Sequence, residues 1–580
     1  MVNGAVSAAA KEVDRFELML MHVFRIEGAG ETVDERMAAV RDTLKLSGWR
    51  ECEPVKRPQQ SELAQPSVEQ LHRYQEAMYF HPFVQRLLYG GQDLYLFKRE
   101  NVQALTVRYR EWNGELWEAG LLVRDCELAV CAPDAVVLTL YLAWPDEAKR
   151  PTVKQVQRLL DTLRRAYPPY FTPDGSEPLT KFSPGHCLHQ VSLNWTSAVD
   201  PMDEHHARNE PTAGTTNFES CQDFWLGWPD ADDAGESFPL AAHLRELLKP
   251  LRCEPMHIGD QADSLRLVQL GDDRAFTLAY VAINEVRDFV TRSRGDFIRL
   301  GCLDDPGANL LPYAADFLRD FEANHCYDCF WYAGKELDSG YYPSRIVQTP
   351  YSMLYLGDNR DEDFFVDERA GALAHFRGAY RRMCLVAVAQ RALLLNTAWH
   401  LAQLDTEREK PDHLARLQRF YGDFLRFTQR AWFFEVSPQM QGQELFLRQQ
   451  THLKTRELYE EVRQEWKDVL EVAQLEQTAR FNRQASVLTQ VAAILGFGSL
   501  IVGVLGANFL EIQGNKSQVV FGVPLKVELM WRGVELGGLM ISLVLLLGFG
   551  CLAYWGWRRI KKGLESATTH SVTGLARGRV

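Results

Sequence analysis

Between Arg480 and Phe509 the chain reads RFNRQASVLTQVAAILGFGSLIVGVLGANF, with no acidic residue and no basic residue after Arg483. Small or oxygen-bearing residues stand at Asn482, Ala485, Thr489, Ala492, Gly496, Ser499, Gly503 and Gly506. Their 3–4 spacing puts them on one face of a helix. Two chemistries fit such a stripe. Gly, Ala, Ser and Thr let membrane helices approach closely, so the stripe can be a packing seam. It can also be a pore wall built from several copies of the helix, with Asn482, Thr489 and Ser499 offering oxygens to a hydrated cation. The stripe ends on Gly506-Ala507-Asn508, an amide where packing alone needs none. Glu511 follows; it either concentrates cations at the mouth or is simply solvated.

Other constellations are thinner. Cys326-Tyr-Asp-Cys329, preceded by His325, is a single CxxC, whereas zinc sites draw on four ligands. His186, Cys187 and His189 are the further ligands in sequence, with nothing that brings them close. Asp358, Asp361 and Asp363 in DNRDED are metal-ligand candidates by composition, with an exposed charged turn as the alternative. His205-His206 reads as a solvated loop. The acidic run at Asp230 fails as a calcium loop, because position twelve is Ala241 and not glutamate. No triad, phosphate loop or paired-carboxylate motif stands out, so neither enzymatic activity nor a bound organic cofactor is expected.

Composition bounds the partners. Hydrophobic residues make up 46% and charged residues 24% of 580, a chain too long for one core. The net charge of −13 argues against nucleic acid, whose phosphates need a basic face. The start, MVNGAVSAAAKEVDRF, lacks the basic and apolar run of a secretory signal, and the eleven cysteines form no dense framework. Both features predict a reduced, cytoplasmic body.

Periodicity places the elements. Strands are predicted at Phe16–Ile26, Asp93–Phe97, Val102–Trp112, Leu116–Trp144 (two or three strands) and Cys187–Trp195. Helices are predicted at Val33–Leu46, Val68–Tyr89 and Thr152–Arg165. These form an N-terminal α/β unit over 1–198. An acidic linker over 199–238, rich in Pro, Gly and Asp, leads to a second α/β unit over 239–365. The second unit carries helices at Ala241–Leu248 and Leu310–Asn324, with strands at Ser264–Leu270, Phe276–Ile283 and Ile346–Leu356. From 366 to 484 the pattern is helical, over Val366–Leu404, Pro411–Phe434 and from Gln441 onward. The last of these is a stalk that suits bundling with copies of itself.

Two stretches, 485–510 and 536–557, contain no Asp, Glu, Lys or Arg, and a span needs about 20 apolar residues. Arg480 and Arg483 precede the first; Arg558, Arg559, Lys561 and Lys562 follow the second and open a basic tail over 558–580. The positive-inside rule then puts both termini in the cytoplasm and the loop 511–535 outside.

Together, Gly506-Ala507-Asn508 with Phe509 after it, the stalk, the two spans and the basic tail resemble the CorA-type magnesium transporter family, the two-transmembrane Gly-x-Asn proteins. The resemblance is good over 439–562, with Ala507 where the family has methionine. It implies an α+β cytosolic region on a long stalk helix and two transmembrane helices, assembled as a homopentameric funnel in a bacterial-type inner membrane. It implies Mg2+ or a similar divalent cation as cargo, an Asn508 ring at the outer mouth and Asn482 as a polar ring at the inner end. Ser499 and Gly496 then face the pore, and Leu488 lies near a constriction that gates by dewetting. The alternative expectation is a membrane-anchored signal receiver whose large cytosolic region senses a ligand or partner.

Overall fold

A computed structural model describes residues 11–506 except 29, 31, 46–47, 53–67, 111–115, 147, 166–169, 172–177, 180–186, 197–212, 220–239, 255–264, 271–273, 308–313, 328–341 and 407–412; it also describes 519–520, 523–524, 548, 554–556 and 558. The chain divides into two units, Met1–Trp466 and Lys467–Val580.

The first unit begins with β1 (Arg15–Glu27), α1 (Val33–Lys45), β2 (Trp49–Glu51), α2 (Val68–Met78), α3 (Pro82–Tyr89) and β3 (Leu94–Arg99). It continues through β4 (Val102–Arg110), β5 (Leu116–Cys131), β6 (Ala135–Ala143), α4 (Val153–Leu163), the small pair β7 (Tyr170–Phe171) and β8 (Pro178–Leu179), β9 (Cys187–Trp195) and β10 (Gly214–Glu219). Next come α5 (Ala242–Leu248), β11 (Arg252–Glu254), β12 (Arg266–Gln269), β13 (Phe276–Ile283), α6 (Val286–Arg292), α7 (Arg294–Cys302) and α8 (Ala315–His325). Then follow β14 (Cys326–Tyr327), β15 (Ser344–Thr349) and β16 (Ser352–Asp358). The helical end holds α9 (Ala372–His375), a π turn (Phe376–Tyr380), α10 (Arg381–Thr406), α11 (His413–Arg430), α12 (Met440–His452) and α13 (Thr455–Gly506).

Among the described residues fourteen strands make one sheet, with the path β10-β9-β4-β5-β6-β1-β13-β16-β15-β14. The join is β1 against β13, antiparallel, with Leu18 opposite Ala279. Strands from both expected α/β segments therefore share a single sheet. Its central strands read as unbroken apolar runs because both faces are covered; β6 and β13 are buried along their whole length.

Alternation along the strands sorts the two faces. Phe16, Leu18, Leu20 and Phe24 of β1 and Val136, Leu138 and Leu140 of β6 join a core with α1, α4, α5 and α7. The opposite face of β1 and β6 receives α10. That second face is unusual, because polar side chains sit inside it at Glu17, Glu127 and Tyr141.

The architecture corrects the expected one. Among the described residues no helix is long and apolar enough to cross a membrane. The two-span CorA-like funnel, the integral inner-membrane placement and the channel reading attached to them are overturned. Side chains of α13 are described as far as Leu500, and the run behind that point contains Arg480, Arg483, Gln484 and Gln490. Those residues dilute the apolar stretch before it reaches the ~20 residues a bilayer requires. The second expected span, 536–557, lies outside the described residues apart from 548 and 554–556, and so does most of the loop 511–535.

Candidate functional site

The longest run of exposed large apolar side chains among the described residues lies on α13. Its start is fixed by a turn at Lys454, which takes a positive φ of 51° and separates α13 from α12. The Arg391 guanidinium of α10 donates to the Leu453 carbonyl at the same turn. The first three turns of α13 are seated in the body. Tyr459 stacks on Trp432 at 4.3 Å, and Trp466, 1% exposed, lies 5.4 Å from Tyr421 and 6.1 Å from Phe424 of α11.

Past Trp466 the cover ends. No described residue from Lys467 to Leu500 is buried, a length of roughly 50 Å at about 1.5 Å per residue. Leu475, Phe481, Leu488, Leu495, Phe497 and Leu500 are between 64% and 70% exposed. Phe481, Leu488 and Leu495 recur every seven residues, directly beside the small positions Asn482, Thr489 and Gly496. A ridge of large side chains therefore runs alongside a groove of small ones. A strict seven-residue repeat is the pattern of helices that supercoil around one another.

The expected pore-lining residues all fall on this helix or beyond it. Thr489 donates its hydroxyl to the Ala485 carbonyl at 2.7 Å, and Ser499 donates to that of Leu495 at 3.1 Å. Both hydroxyls are spent within the helix. Asn482 and Leu488 are exposed, and a Cβ added at Gly496 would meet nothing within 4 Å. Gly506 closes the described helix; Ala507, Asn508 and Glu511 lie outside the described residues.

The other candidates separate. Asp358 is buried and accepts from Arg360 at 2.8 and 2.7 Å and from the Val286 N–H at 3.3 Å. Burial would raise its pKa, but the Arg360 bonds outweigh that and hold it below the usual carboxylate range. Asp361 accepts from the Phe364 N–H, and burial pushes it upward; Asp363 is exposed. His325 bonds the Gln348 carbonyl at 2.8 Å and stacks on His452, and Cys326 is buried in β14. His189 lies 3.8 Å from Glu219. Cys329, His186, His205, His206 and Asp230 lie outside the described residues. Among the described residues no group of three His, Cys, Asp or Glu could hold a metal ion.

A second feature escaped the sequence reading. Beneath the π turn, four carboxylates meet four cations between the sheet and the helices. Arg377 donates to Glu17 at 2.5 and 3.0 Å, and the Tyr141 hydroxyl donates to the same carboxylate. Arg382 donates to Glu127 at 2.5 and 2.9 Å and to Glu76 of α2 at 2.8 Å. Arg381 donates to Asp125 at 2.7 Å, with Lys98 3.4 Å away. Burial works against the Glu127 carboxylate, yet Arg381 and Arg382 hold it down at about 2. Gly378 lets α2 come close, since a Cβ there would stand 3.3 Å from the Glu76 carboxylate. π turns recur at functional sites because they re-aim side chains. Here the turn aims three arginines into the sheet, leaving a closed clamp with every carboxylate engaged. The legible signal was a carboxylate inside an apolar strand, in FELML and CELAVC, paired with Arg381-Arg382 at the head of a helix.

No protein-family model, curated protein or solved structure matches this chain.

Proposed function

We propose that the protein is a receiver that acts by self-association. The α/β body takes up a ligand or partner, and α13 carries the output by pairing with the same helix of another copy. The observation that carries the reading is the bare length of α13 beyond Trp466, with large apolar side chains between 64% and 70% exposed. Isolated helices in water draw little stability from propensity and depend on packing of an apolar face. Helix α13 meets Gly556 beside Ile494 and leaves its ridge and groove exposed. Its own ridge at Phe481, Leu488 and Leu495 and its own groove at Asn482, Thr489 and Gly496 supply complementary surfaces, which favours a second copy over an unrelated partner. The clamp under the π turn ties α10 to the sheet through charge.

Cysteine substitution tests the pairing. With Ala485→Cys or Ala492→Cys in the groove, mild oxidation of the full chain is expected to give disulfide-linked dimers. Leu116→Cys, on an exposed strand end, is expected to give none beyond the wild-type background. Absence of dimer at both groove positions would sink the reading.

A further inference from the structure

Charge fixes α11 to the body at one place. Arg36 of α1 stands between two carboxylates. It donates to Asp134, at the β5–β6 turn, through Nε at 2.7 Å and through Nη2 at 3.1 Å, and the same Nη2 lies 3.8 Å from Asp423 of α11. His400 of α10 completes the group. Its Nε2 is 3.7 Å from the Asp134 carboxylate, and its ring stacks on Phe420 of α11 with centroids 4.5 Å apart. Asp423 Oδ2 and both ring nitrogens of His400 are buried without a hydrogen-bond partner among the described residues.

The charge count of this group is incomplete. One guanidinium faces two carboxylates, with the His400 ring beside them. Other charges reach it from α11 itself, at Arg419 and Arg426, and Asp34 stands beside it on α1. Arg426 is engaged by Asp34 at 2.7 Å and by Asp93 at 3.0 Å, which limits what it offers to Asp423. A cavity of about 410 Å³, lined by Asp34, Gly422, Leu425, Arg426, Gln429 and Arg430, lies along the Asp423 turn of α11.

We propose that Asp423, Arg36, Asp134 and His400 form a proton-operated latch on α11. One proton bound in this cluster ties α11 to α1 and to the β5–β6 turn, and its release loosens α11. Because Tyr421 and Phe424 of the same helix seat Trp466, the latch sets how firmly the base of α13 is held.

Burial raises the Asp423 carboxyl to about 6, from an ordinary 3.8, and the Asp134 charge adds to the rise. The sign follows from linkage. Between those values the packed state binds more protons than an opened one, so packing of α11 is strongest in acid and weakens as pH rises toward 6. From pH 5 to pH 7 the opening equilibrium of α11 is expected to grow roughly tenfold.

Hydrogen exchange on the full chain, corrected for the intrinsic pH dependence of the chemistry, reads this directly. Protection over 413–430 should fall roughly tenfold from pH 5 to pH 7, while β6 stays constant. Asp423→Asn keeps the shape without the charge, and should show no change in protection over 413–430 between pH 5 and pH 7. Asp423→Ser serves if the amide disturbs folding, with the same expectation. No α11-specific pH dependence in wild type, or its persistence in both variants, overturns the latch. The readout is local protection and not assembly, so this proposal and self-association can fail separately.

Discussion

Single residues decide how the body answers acid. His22 of β1 and His243 of α5 are buried, and burial pushes them down to about 3 and about 4, with their mutual proximity adding to the shift at His22. Their folded values lie below the ordinary 6.5, so unfolded chains bind more protons in that interval. Stability is therefore lost as pH falls from about 6.5 toward 3. His22→Leu is expected to move the acid-unfolding midpoint, followed by circular dichroism, to lower pH; an unchanged midpoint would show that the histidine pair does not set it. Glu127 acts the same way in a lower window. Its contribution is present above the ordinary 4.5 and disappears as pH falls through about 2. Glu127→Gln leaves Arg381 and Arg382 without their buried counter-charge, and removing one partner of such a pair costs about 3–5 kcal/mol. Urea denaturation at neutral pH should show that loss. A loss below about 1 kcal/mol, the size of an exposed pair, would mean that water reaches the clamp. Asp423 works in the opposite sense to both, since it favours the packed state in acid.

Elements follow from local pattern where the pattern is local. The runs at Phe16–Ile26, Phe276–Ile283 and Cys187–Trp195 are strands within one residue of their predicted bounds. The single helix expected over Val68–Tyr89 is two, because Pro82 sits at the first position of α3 and cannot continue α2. The helix expected from Gln441 onward breaks at Lys454, where a positive φ carries no signature in a Leu-Lys-Thr sequence. The acidic linker hides β10, whose Gly214–Glu219 pairs with β9 only through tertiary context. Seating of α13 belongs to this scale as well. Trp466 fills the space between Tyr421 and Phe424, and truncating a buried Trp to Ala costs about 3–5 kcal/mol. Trp466→Ala should lower the melting temperature and raise exchange over 413–430. Normal melting would mean that α13 is not anchored through this side chain.

At the scale of the whole molecule, much of the architecture was illegible in the sequence. Pairing of β1 with β13 joins positions more than two hundred residues apart, and a period-two pattern shows which residues face inward but not which strand lies alongside. The charge clamp was missed for the same reason. Glu17, Glu127 and Arg382 are far apart in the chain and meet only because β1 and β5 lie on one sheet and α10 crosses it. The stripe at Asn482–Gly506 was legible as a helix face but misread as a membrane span. Its described hydroxyls close on their own helix, and its flanking glutamines and arginines shorten the apolar run. What survives is a long helix with an exposed seven-residue ridge and groove.

The most direct measurement is the mass of the full chain in solution, by sedimentation equilibrium, for wild type and for Leu488→Glu with Leu495→Glu. Self-association through α13 predicts a wild-type mass that is a multiple of 66.3 kDa. It predicts a shift toward 66.3 kDa in the double variant, with unchanged melting of the body. A wild type that sediments at 66.3 kDa at every concentration, or a double variant that assembles as wild type does, would contradict it.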